Sequence, residues 1–141
     1  MNATQSLKQL LLTIQTDRKY YIALEKLLLK QRQYVIRYQS AKLLAVNDHL
    51  TELYQALSQT TMERIALLKE LKVAPNKEGL QTLFNRLPEQ YREHVTALWA
   101  DLEQRVKNCQ QQNQRNGQLL SMQKDILTSS FNYQEEFIYA G

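Results

Sequence analysis

Three glycines and two prolines are all that a chain of 141 residues contains of the two strongest turn-forming types. Average usage would supply the pair at roughly 12% of positions. A β-sandwich or barrel needs a turn every eight to twelve residues or so, and the scarcity excludes both. Leucine (24 residues) and glutamine (18 residues) dominate instead, and both are good helix formers. The expectation is an all-α chain with one modest core.

Apolar spacing divides the chain into helices. From about 4 to 37, Leu7, Leu10, Leu11, Ile14, Tyr21, Leu24, Leu28 and Val35 recur at steps near three and four, the mark of an amphipathic helix. With Leu7 at heptad position a, Asp17 and Gln31 fall on d positions, which predicts an imperfect bundle rather than a uniform zipper. Arg37–Ser40 reads as a turn, with Ser40 as N-cap of a second helix at about 41–72. The stripe of that helix runs Leu43, Val46, Leu50, Leu53 and Leu57, then shifts to Thr61, Ile65, Leu68 and Leu71, which allows a nearly straight course. Pro75 ends it, and Asn76 caps a short helix at about 77–87. Pro88 fits the first position of a fourth helix, about 88–131. Its stripe is Val95, Trp99, Leu102, Val106, Cys109, Asn113, Asn116, Leu120, Gln123 and Leu127. The predicted architecture is an elongated antiparallel helical bundle or coiled coil of three long helices and one short one. It occupies residues 1–131, followed by an apolar, aromatic tail at 132–141.

Several function classes find no support. Cys109 is the single cysteine, so a multi-thiolate metal site is not available, and its place in the apolar stripe reads as a small buried hydrophobe. His49 and His94 lie on different helices, without metal-ligand spacing. There is no nucleophile–base set and no glycine-rich phosphate loop, so neither an enzyme nor a cofactor is expected. The N-terminal residues lack a charged region followed by an apolar stretch, and the leucine runs are too short to span a bilayer. A soluble cytoplasmic protein without membrane insertion is expected.

The net charge of +4 is unevenly placed. Residues 1–46 carry eight basic and two acidic side chains, and the remainder carries ten and twelve. Lys8, Lys19, Lys26, Lys30 and Arg37 fall on outward heptad positions of the first helix. They read as a solvated face or a contact for an acidic partner. Nucleic acid is disfavoured, because no aromatic side chains are interleaved with them.

Two features exceed what a plain bundle requires. Asn113 and Asn116 are expected in the seam of the fourth helix, followed by Gly117 in its interior. Such residues cost stability and either fix register or meet a partner. The tail residues Phe131, Tyr133, Phe137, Ile138 and Tyr139 either fold back on the bundle or form a docking segment that orders on binding.

The run Leu83-Phe-Asn-Arg-Leu-Pro-Glu89, then Leu98-Trp99, then Asn113-x-x-Asn-Gly-x-Leu-Leu120 resembles the FlgN family of flagellar export chaperones. Glu63-Arg-Ile-Ala-Leu-Leu68 and the ending Ile138-Tyr-Ala-Gly141 are also similar to that family. The second helix departs from it, reading Asn47-Asp48-His49 where an acidic-acidic-lysine turn is usual. The resemblance implies an all-helical chaperone of hook-associated proteins that delivers these clients to the cytosolic domain of the flagellar export gate. It also implies that Tyr139 matches the family tyrosine that contributes to gate docking. A client helix would find Leu119, Leu120, Met122, Ile126, Leu127 and Phe131 on the fourth helix past Gly117, a band wider than one seam needs. The runner-up expectation is a generic helical adaptor without an export role.

Overall fold

The computed structural model describes residues 2–140, with the side chains of Leu127 and of residues 130–140 outside the description. Four helices follow one another: α1 (Ala3–Ile36), α2 (Ser40–Glu70), α3 (Lys77–Asn85) and α4 (Glu89–Ala140). No strand occurs among the described residues. The fold is the expected all-α, elongated one.

Local chemistry starts and stops each helix. Asn2 and Gln5 form a reciprocal capping box at the start of α1, with bonds of 2.9 and 3.1 Å. Asn76 caps α3 by accepting from the Gly79 N–H at 3.0 Å, as expected. Ser40 does not cap α2: it is the first helical residue, and Gln39 precedes it without a side-chain cap bond. The cause is the tightness of the preceding turn. Tyr38 takes a left-handed conformation (φ 53°), and the Gln39 N–H bonds back to the Tyr34 carbonyl at 2.9 Å. This is a Schellman ending, and α2 repeats it with Lys72 at φ 59° and Val73 bonded to Leu68. α4 continues past the expected end near 131 to Ala140. Fading of the apolar stripe does not stop a helix, and neither glycine nor proline lies between Gln118 and Ala140.

α1 is the central element and packs along both α2 and α4. Its pairing with α2 is antiparallel: Gln9 bonds Glu63 and Gln31 bonds Asn47. Its pairing with α4 is parallel, because the chain returns through α3 to the end where it began. One apolar cluster joins all four helices at that end, through Leu10, Ile14, Leu67, Leu68, Phe84 and Val95 among others. A second joins α1, α2 and α4 farther along, through Leu24, Leu28, Val46, Leu50, Leu57 and Cys109. Gly79 permits the tight entry into α3, since a Cβ there would stand 1.7 Å from the Ala74 carbonyl oxygen.

Two substitutions test these local claims in urea unfolding. Gly79→Ala must displace the 74–79 backbone and is expected to destabilise by about 2 kcal/mol. Lys72→Gly removes a left-handed lysine and is expected to stabilise by about 1 kcal/mol. A neutral result for both would show that neither backbone site is constrained as described.

Candidate functional site

The position of α4 is set by polar side chains at strict heptad spacing. The Cys109 thiol faces the Tyr21 carbonyl at 3.8 Å. The Asn116 amide donates to the Leu28 carbonyl at 2.8 Å, and the Gln123 amide donates to the Val35 carbonyl at 3.0 Å. Donors and acceptors both advance by seven residues, so α4 lies in register beside α1. Only a parallel pair with the same period can form such a ladder. Buried polar groups need partners, so a slip by one turn, which takes each donor off its carbonyl, is costly.

Two polar nodes extend this clamp to α2. Asn116 also donates to Gln31 at 2.9 Å, and Gln31 donates to Asn47 of α2 at 2.9 Å. Nearer the other end, Arg64 of α2 pairs with the buried Asp17 of α1 and reaches Thr13. The Arg64 guanidinium also lies 5.9 Å from the centre of the Trp99 ring of α4. Each node therefore touches all three long helices. Asp17 and Gln31, the two polar residues expected in the α1 seam, are the α1 members of these nodes.

The seam of α4 departs from the expected stripe. It runs Cys109, Gln112, Asn116, Leu119 and Gln123, while Asn113 is exposed and Leu120 is 39% exposed. Of the two expected seam asparagines, Asn116 alone is buried, at 2% exposure. Gly117 is exposed, and a Cβ there would meet nothing within 4 Å, so its neighbours in the fold do not require a glycine.

Past the last rung of the ladder, α4 loses its partner. α1 ends at Ile36, one residue beyond the Val35 rung, while α4 runs on to Ala140. Leu119 is partly buried, yet Ile126, one heptad later, is 60% exposed. Met122 is 59% exposed. Four of the residues expected to bind a client (Leu119, Leu120, Met122 and Ile126) thus lie within one stretch at the end of the clamp. The side chains of Leu127, Phe131 and Tyr139 lie outside the described residues.

A second apolar surface is not evident from the sequence. Between α2 and α4 a furrow opens over α1, lined by Tyr21, Leu24, Tyr54, Leu57, Val106 and Cys109. It continues past Arg64, Trp99 and Leu102 into a cleft of about 320 Å³. Helical spacing marks Tyr21, Leu24, Leu57, Trp99, Leu102, Val106 and Cys109 as core and cannot reveal that α2 and α4 stand apart there. Burial pushes the Cys109 thiol up to about 11 and also raises the Tyr21 and Tyr54 phenols, which favours the neutral forms of all three groups. His49 and His94 are both exposed. Among the described residues no cluster of three or more His, Cys, Asp or Glu could hold a metal ion. No helix among them is long and apolar enough to cross a membrane.

Comparison with known proteins adds one finding. The family model described as FlgN protein matches residues 1–134. No curated protein and no solved structure matches the chain.

The node at Arg64 and the state of Cys109 are each testable. Arg64→Met alone leaves the Asp17 carboxylate buried without its partner and is expected to cost about 3 kcal/mol. Asp17→Leu added to it should restore most of that loss, and a double-mutant cycle without coupling would contradict the pairing. The raised Cys109 pKa has a defined sign. The folded state holds the thiol proton more tightly, so this contribution is complete below pH 9 and is lost as pH rises towards 11. At pH 8 the native thiol should alkylate at least about a hundredfold more slowly than in the urea-unfolded chain.

Proposed function

The chain belongs to the FlgN family, and from that premise we propose that it is a cytosolic flagellar type III export chaperone. It holds the helical C-terminal ends of hook-associated proteins, prevents their premature assembly and delivers them to the export gate. The observation that carries the client-binding part is the change along one register position of α4. Leu119 is partly covered, whereas Ile126 is open because α1 has ended.

The chemistry of such a surface is that of a helix in a groove. A client helix would bring an apolar face with anchors at helical spacing onto Leu119, Leu120, Met122 and Ile126. The client supplies the cover that α1 no longer provides. Met122, unbranched and polarizable, adapts the surface to clients of differing shape. By sequence spacing the proposed client set also includes Leu127 and Phe131. Asn113, Asn116 and Gly117 belong to its approach: Asn116 anchors the helix, and the bare backbone at Gly117 admits close contact. Tyr139, near the end of α4, serves the export gate rather than the client.

Separate variants distinguish the two contacts. Met122→Asp with Ile126→Asp should weaken binding to the C-terminal helical segment of a hook-associated protein by at least about tenfold in calorimetry. Both side chains are exposed, so the melting temperature should stay unchanged. Unchanged client affinity would place the client elsewhere. Tyr139→Ala should preserve client affinity while weakening capture by the cytosolic domain of the export gate. Unchanged gate capture would remove Tyr139 from that role.

A further inference from the structure

The back of α1 has no role in the packing or in the client surface. Lys8, Lys19, Lys26, Lys30 and Arg37 are all exposed. At 3.6 residues per turn they fall within about 40° of one another, in a straight row about 43 Å long. Leu10, Ile14, Asp17, Leu24, Leu28 and Val35 are buried on the opposite side, where α2 and α4 pack. The two acids of α1, Asp17 and Glu25, sit on the packed flanks, paired with Arg64 and Arg105. Arg18, which reaches a neighbouring helix, pairs with Asp101. Among the described residues none of the five cations in the row makes an ion pair.

Apolar side chains accompany the charges. Leu12 stands within the row at 50% exposure. Leu29 and Ile36 lie about a quarter-turn away, on the flank of the helix towards α4, at 53% and 50%. A lipid surface accepts cations and a shallow apolar group such as Leu12 together.

We propose that this face of α1 docks on a membrane surface rich in anionic phospholipid. The clamped bundle presents all five cations to one plane, and a bilayer is the anionic partner that is flat over such a length. Each cation near such a surface contributes on the order of a fivefold factor in partitioning. The phosphate strands of duplex nucleic acid wind away from a straight row, and no aromatic side chain in the row offers a stacking platform for single strands. With no described helix able to cross a bilayer, attachment is peripheral.

Co-sedimentation of the full chain with vesicles tests the proposal. Vesicles with one part phosphatidylglycerol to two parts phosphatidylcholine should bind at low salt and release at high salt. Pure phosphatidylcholine vesicles should not bind. Lys19→Glu/Lys26→Glu/Lys30→Glu should lower partitioning at least about a hundredfold without shifting the melting temperature, since all three side chains are exposed. Lys69→Glu/Lys107→Glu/Lys124→Glu makes the same change in net charge outside the row and should cost less than about tenfold. Equal losses from the two variants would reduce the effect to net charge and overturn the proposal. Absence of vesicle binding, with duplex DNA or polyglutamate captured instead, would assign the row to nucleic acid or to an acidic protein and would also overturn it.

Discussion

The parallel register of α1 and α4 governs what the rest of the molecule can do. It is held at every seventh residue, where Cys109, Asn116 and Gln123 meet the carbonyls of Tyr21, Leu28 and Val35. A seam of leucines alone would tolerate a shift by a turn or a heptad with little loss. Two amides and a thiol do not: a shift by a turn takes each off its carbonyl, and a shift by a heptad, although it offers carbonyls at the same spacing, breaks the Asn116–Gln31 bond. The register also decides where α1 stops relative to α4. The final rung falls one residue before Ile36, so every turn of α4 beyond it lacks α1 as a cover.

The same polar groups make a three-helix arrangement rigid without closing it. Arg64 and Gln31 tie α2 to the α1–α4 pair at two levels, while the furrow between α2 and α4 stays open. The molecule therefore divides its surfaces. Leu120, Met122 and Ile126 stand exposed where α4 leaves the bundle, and unpaired positive charge runs along the back of α1. A rigid clamp lets both faces be presented at once, which suits a chaperone that must hold one partner while meeting another.

Much of the fold was legible in the sequence because helices announce themselves through spacing and breakers. The four helices and the linker at Pro75 follow from apolar periodicity and from the placement of two prolines. Asp17 and Gln31 were legible as polar departures in the α1 seam, though not as the two nodes they form with Arg64, Asn47 and Asn116. The seam of α4 was read one position off at Asn113 and Leu120, because Gln112 and Asn113 are both polar and apolar spacing cannot choose between them. The left-handed endings were invisible, since Tyr38 and Lys72 carry none of the signal a glycine would. The open furrow was invisible for another reason: whether two outer helices meet depends on three-dimensional packing, which no single helix encodes.

Hydrogen exchange along α4, with and without the helical C-terminal segment of a hook-associated protein, tests the central claim most directly. The account predicts that amides around Leu119–Ile126 gain protection on client binding, while the clamped stretch from Leu102 to Asn116 is already protected and does not change. Protection gained instead around Tyr54, Trp99 and Val106, with the segment beyond Gln123 unaltered, would place the client in the furrow and contradict it.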